Sequence, residues 1–319
     1  MPRWVFYFLL ILAAPAVAQD CTQTIPVRVV DTETAAPIEP LTAEMITAKM
    51  GETHLLISSP ARIRAGRIIV LIDESESMAG AGLDHRREAV RAVKLTLGEL
   101  MTKLPPGVSI EYGLFKEKWV LSGTFLSDPA EVRKSIDEVT ASFGKSPYGR
   151  TAIYDSLHEA LRRLGPPQIG DSILLLTDGG DNSSKLTAKK LELEFHAGKA
   201  RLLTMMLFGT QVSPAEESGR DSVQELVLKT GGSTLAINPE TPAWADPKSN
   251  LRTAEVVRRF WNERVLSTDV MQVQVPGTLT KEAKWKLTVN REVDARLKNA
   301  IVIYPTWLSP CPAATASAH

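Results

Sequence analysis

In the stretch IIVLIDESESMAG, an apolar run from Ile68 to Ile72 leads directly into Asp73, Ser75 and Ser77. Alternate residues of an extended chain project to the same side. One carboxylate and two hydroxyls therefore face one point. Such a set of hard oxygens suits Mg²⁺ or Mn²⁺, which take about six oxygens in an octahedron, with Ca²⁺ less favoured. A half-shell needs further ligands from other loops. Thr151, in GRTAIYDSL, stands at the start of a predicted helix, and Asp178, in LLLTDGGDNSS, ends a second apolar run. In an open parallel sheet, ligands sit outside the carboxyl ends of the strands. Strand end, helix start and strand end then share one edge of the sheet.

The elements that must hold these residues alternate. Continuous apolar runs at 68–73, 172–178 and 201–209 predict strands buried on both faces. VSIEYGLF (108–115) and WVLSGTF (119–125) predict a strand pair, and STLAIN (233–238) a further strand. Helices are expected at 84–104, from Ser127 or Asp128 through SDPAEVRKSIDEVTASF, and at 151–164, 186–199 and 214–229, with a last one through Val256–Arg264. This alternation predicts an α/β fold, a Rossmann-like doubly wound and mostly parallel sheet. Outside it the pattern has period two. IPVRVVD (25–31) and THLLISSP (53–60) precede the block; strands through 271–275, 284–289 and AIVIY (300–304) follow it. Two strands and three strands are each too few for a stable sheet. Together they predict one small β domain into which the α/β block is inserted.

The expected divisions are a signal peptide at 1–18, an N-terminal β segment at 19–65, the α/β domain at 66–264, a C-terminal β segment at 265–308 and a disordered tail at 309–319. The first 18 residues carry one Arg, an apolar run and Ala16-Val17-Ala18, a secretory pattern. The run Trp4–Ala14 is shorter than the roughly 20 residues a bilayer span needs, so no membrane span is expected after cleavage. A secreted or periplasmic location follows. The chain has two cysteines, Cys21 and Cys311, and an oxidising compartment allows them to pair. Lys+Arg and Asp+Glu both number 37, which gives no reason to expect a nucleic-acid partner.

The arrangement resembles the von Willebrand factor A domain with its metal-ion-dependent adhesion site. The pattern Asp-x-Ser-x-Ser, a distant Thr and a later Asp is matched by Asp73, Ser75, Ser77, Thr151 and Asp178, over about 66–264. The contexts Ser77-Met78, Thr151-Ala152-x-Tyr154-Asp155 and Thr177-Asp178-Gly179 are similar too. The flanking β segments more loosely resemble a secreted subgroup common in acidobacteria. The resemblance implies that Asp73, Ser75 and Ser77 are primary metal contacts, that Thr151 coordinates directly or through water, and that Asp178 acts through water. It implies an open metal position completed by an acidic side chain of a partner protein. The residue between the serines is often Gly in that family and is Glu76 here. Glu74 and Glu76 are expected to face solvent; the sharper alternative is that Glu76 folds back onto the metal.

Enzyme readings fare worse, and the chain is expected not to be an enzyme. A haloacid-dehalogenase-like phosphatase needs a second Asp two residues after the first, and Ser75 stands there; a hydroxyl is no general acid near neutral pH. No G-x-S-x-G elbow and no H-E-x-x-H zinc motif occur. His54, His85, His158 and His196 lack a motif context, and His158 reads as a surface residue. The loop DGGDNSS lacks the spacing of a calcium loop, so Asp181 and Asn182 are expected to serve as turn or cap residues before the next helix. A metal-free scaffold of an envelope complex is the remaining alternative.

Overall fold

The computed structural model describes residues 21–34, 36–75, 78, 98, 100–101, 103–142, 149–207, 214–237, 247–277 and 279–311. The expected signal peptide, Glu76, Ser77, His85, most of the expected helix at 84–104 and all but the first three residues of the expected tail lie outside the described residues.

Four strands come first: β1 (Cys21–Asp31), β2 (Ile46–Met50), β3 (Thr53–Leu55) and β4 (Ala61–Arg64). The central block follows with β5 (Arg67–Asp73), β6 (Ser109–Phe115), β7 (Trp119–Ser122), α1 (Pro129–Ser142), α2 (Ile153–Leu164), β8 (Ser172–Thr177), α3 (Ala188–Gly198), β9 (Arg201–Leu207), α4 (Pro214–Lys229), β10 (Ser233–Ile237) and α5 (Pro247–Phe260). A π-type turn at Trp261–Val265 leads into β11 (Ser267–Val275), β12 (Ala283–Lys284), β13 (Lys286–Val289), β14 (Ala300–Ile303) and β15 (Trp307–Leu308).

The central sheet has the order β10-β9-β8-β5-β6-β7. Its pairs are parallel except β6–β7, which closes one edge antiparallel. Strand alternation sends side chains to two helical layers. Ile68, Val70 and Ile72 pack with Val132 and Ile136 of α1 and Val257 and Phe260 of α5. Ile69 and Leu71 pack with Leu157 of α2, Phe195 of α3 and Val223 of α4. The fold is therefore a doubly wound, mostly parallel α/β sheet covered on both faces.

The flanking β part draws on both ends of the chain. β1 pairs antiparallel with β11 over Cys21–Val27, then with β14 over Arg28–Asp31. β13 pairs with β2, and β2 with β3. Val27, Val29, Met271, Val273, Trp285 and Leu287 fill its own core. Cys21 and Cys311 form a disulfide. The α/β block thus leaves and re-enters a single β framework. Two strands expected before the block are in fact four. β2 (ITAKM) carries a half-exposed Lys49 and β4 (ARIR) two exposed arginines, which hides their alternation.

Contacts tie the two parts together at the amino ends of the central strands. Glu192 of α3 accepts from the Trp307 indole at 3.0 Å and from Lys229 Nζ at 3.0 Å. His196, buried beside them, has its Nε2 at 3.9 Å from Glu192, beyond hydrogen-bond reach. Burial holds its imidazole pKa down at about 4. Among the described residues no helix is long and apolar enough to cross a membrane.

Candidate metal centre

β5 and β8 are adjacent and parallel, with Ile72 opposite Leu176. Asp73 is the last residue of β5, and Asp178 is the residue after β8. Register therefore sets Thr177 opposite Asp73, and Asp178 follows one residue later on the same carboxyl edge. Asp73 is fully buried, Ser75 is 1% exposed, Thr151 2% and Asp178 4%. Buried polar side chains of this kind require partners or a ligand.

Asp73 is fixed by neutral donors. Its Oδ1 accepts from the Ser75 amide at 2.9 Å, and its Oδ2 accepts from the Thr177 hydroxyl at 2.7 Å. Thr177 Oγ1 in turn accepts from the Gly179 amide at 3.0 Å. Burial, and then the charge of Asp178, push the Asp73 carboxyl up to about 7, against the smaller opposing effect of these hydrogen bonds. A buried carboxyl whose ionisation is opposed by burial and by a second acid nearby is a place where a cation would be stabilising.

Thr151 precedes α2, and the loop after β8 holds it. Its amide donates to Asn182 Oδ1 at 2.8 Å, and its carbonyl accepts from the amides of Asn182 and Ser183 at 2.9 and 3.0 Å. Asp181 accepts from the Tyr154 amide at 3.0 Å and Asp155 from the Leu186 amide at 2.9 Å. Asp181 and Asn182 thus secure the start of the preceding helix, α2. The next helix, α3, has its own cap, Thr187, which accepts from the Lys190 amide. Asp181 is the expected turn residue, accepting from the Ser184 amide at 3.2 Å, but neither it nor Asn182 caps the following helix.

Asp178 is placed from the other side. Arg220 of α4 donates to the Asp178 carbonyl at 2.6 Å. Gly179 has φ +92°, and a Cβ there would lie 2.4 Å from Arg220 Cγ. Only glycine admits both the left-handed backbone and the close helix.

Glu74 does not face solvent as expected. It is 2% exposed, its amide donates to the Phe115 carbonyl at 2.9 Å, and its carboxylate is 3.8 Å from Lys116 Nζ. Alternation turns it away from Asp73, into the space beside the end of β6. Thr177 and Asn182 orient Asp73 and Thr151, roles not expected from the motif context of the one and the turn or cap reading of the other.

The described donor set is two carboxylates and two hydroxyls, all oxygen. Among the described residues no three His, Cys, Asp or Glu side chains converge as metal ligands, which disfavours a zinc-type site. The set suits a hard divalent cation that retains water. A groove of about 550 Å³ lies elsewhere, against Glu192, Lys229, Lys284 and Trp307, and none of the site residues lines it.

No protein-family model matches the chain, and no curated protein matches it either. Solved structures that it resembles include a von Willebrand factor type A protein from Catenulispora acidiphila, 14% identical over 91% of this chain and 74% of that one, TM-score 0.46. Others are the ArnB paralog VWA2 from Sulfolobus acidocaldarius (15% identical, 91% and 76% covered, TM-score 0.40) and the conserved hypothetical protein BatB from Bacteroides thetaiotaomicron (15%, 60% and 98%, TM-score 0.41). Likeness at this level carries no information about activity.

Proposed function

We propose that this protein binds a divalent cation, Mg²⁺ or Mn²⁺ ahead of Ca²⁺, through Asp73, Ser75, Ser77, Thr151 and Asp178, and thereby grips an acidic side chain of another protein. It is a non-catalytic interaction module. The observation that carries this reading is the buried carboxyl of Asp73, opposed by burial and by the charge of Asp178 beyond the end of the adjacent strand. The resemblance in sequence to the metal-ion-dependent adhesion site supplies Ser77 and the open position. When bound, the cation supplies positive charge between the carboxylates and a coordination place for the partner's acid. The chain does the positioning. Thr177 and the Ser75 amide orient Asp73, Asn182 holds Thr151, and Arg220 holds the backbone at Asp178. Action outside the cytoplasm is supported by the secretory pattern of residues 1–18 and by the Cys21–Cys311 bridge, which suits an oxidising compartment.

Calorimetric titration of Mg²⁺, Mn²⁺ and Ca²⁺ into the purified protein, beside Asp73→Ala, tests the reading. Binding by the wild type alone supports it, and a pull-down with and without chelator then finds the partner. Absence of binding in both, with or without an added carboxylate ligand, leaves the metal-free scaffold.

A further inference from the structure

The opposite edge of the central sheet poses a problem of the opposite sign. Arg201, the first residue of β9, is 1% exposed. Its Nη1 donates to the Arg264 carbonyl at 3.2 Å and its Nη2 to Ser172 Oγ at 3.0 Å. Its Nε has no acceptor among the described residues. Among the described residues no carboxylate hydrogen-bonds to it, and Asp269 is the acid whose charge acts on it. Arg28 of β1, 5% exposed, donates to Ser233 Oγ. Arg264 is half-buried beside them, and the charges of Arg264 and Arg201 both act against Arg28.

The nearby acids are engaged elsewhere. Asp269 accepts from Arg62 Nε at 3.1 Å and Nη2 at 3.3 Å, and Glu39 pairs with the same Arg62. The guanidiniums of Arg28, Arg62, Arg201 and Arg264 therefore meet the carboxylates of Asp269, Glu39 and Glu263, one fewer than the cations. A buried guanidinium without a counter-charge costs several kcal/mol, on the order of the penalty for any desolvated ion.

A small cavity of about 10 Å³ opens at this place, lined by Arg201, Lys199, Thr24, Thr268, Gly170 and Val270. That is room for one small particle. Phosphate, sulfate and carboxylates are too large. The lining offers a guanidinium with an unused N–H, an ammonium and two hydroxyls, all of which can donate. We infer that this cavity holds a single monatomic anion, chloride in ordinary media, which neutralises Arg201 and joins the α/β block to the β framework. The site is independent of the cation site.

The test uses the full chain and bromide as the probe. Crystals grown in sodium bromide should show an anomalous peak in the cavity beside Arg201. Thermal melting at constant ionic strength should rise as halide replaces methanesulfonate, by roughly 3 °C per tenfold halide once the site saturates. Arg201→Met should lose that dependence. A cavity without bromide, holding only water, overturns the inference. So does a melting temperature equal in halide and methanesulfonate, a measurement on the wild type that stands even where Arg201→Met does not fold. Halide dependence retained by a folded Arg201→Met overturns it too.

Discussion

The two edges of the central sheet treat charge in opposite ways. At the carboxyl edge Asp73 and Asp178 are buried close to the start of α2. At the amino edge Arg67 and Arg201 are buried or half-buried and donate to the carbonyls of Leu164, at the end of α2, and of Arg264, in the turn after α5. In a parallel α/β sheet every helix begins over one edge and ends over the other. Helix starts are partially positive and helix ends partially negative. The backbone alone thus prepares one edge for acids and the other for bases. The difference lies in what completes each edge. Arg67 finds Asp171 at 2.6 Å, whereas Asp73 is left with neutral donors and a like-charged neighbour. In the proposed function a cation completes the carboxyl edge, whereas the amino edge carries an ion pair of its own.

The strongest way to break this comparison is Asp73→Ala. It should reduce cation affinity by about 100-fold or more, since even outer partners of a metal site are worth 10–100-fold. Titration calorimetry reads it, and unchanged affinity would remove the acidic edge as a site.

On the basic edge, His196 should make stability fall with acid. Its folded pKa of about 4 lies below the ordinary value of 6.5. The unfolded chain therefore takes up the proton first as pH drops. The contribution is intact above about pH 6.5 and lost on the way to about pH 4, at a cost of about 3 kcal/mol. Denaturant midpoints for the wild type and His196→Gln, compared between these pH values, should converge as pH falls.

A smaller effect sharpens the role of the loop after β8. Asn182→Ala removes the acceptor of the Thr151 amide and should weaken cation binding by about 10-fold while leaving the fold intact. An affinity equal to the wild type would show that Thr151 does not contribute. The smallest effect has the opposite sign. Asp73→Asn relieves the like-charge pair, so in chelator the variant should melt higher than the wild type, by about 1 kcal/mol in stability. A lower melting temperature would mean that the paired charges do not strain the metal-free protein.

The central sheet was legible because its strands are buried on both faces. Continuous runs such as IIVLID and SILLLT admit few other readings. The places of Asp73 and Asp178 were legible for the same reason, since an oxygen-bearing side chain after such a run stands at a strand end. The flanking part was less so. β12 and β15 have two residues each, too short for any periodicity, and β4 is an exposed edge with two arginines. Glu74 was misplaced because its type suggests solvent, while its neighbours leave it facing Lys116. Arg201 gave no signal, because a strand's first residue is usually at the surface; only the fold lays β1 and β11 over it.

The bridge between Cys21 and Cys311 also has a mechanical consequence. Tension applied to the chain on either side of these residues runs from one segment to the other through a single covalent link. The 289 residues between them, Thr22 through Pro310, lie outside that load path. A pull on the polypeptide ends would leave the α/β block slack. Only a force arriving through a bound partner would stretch it.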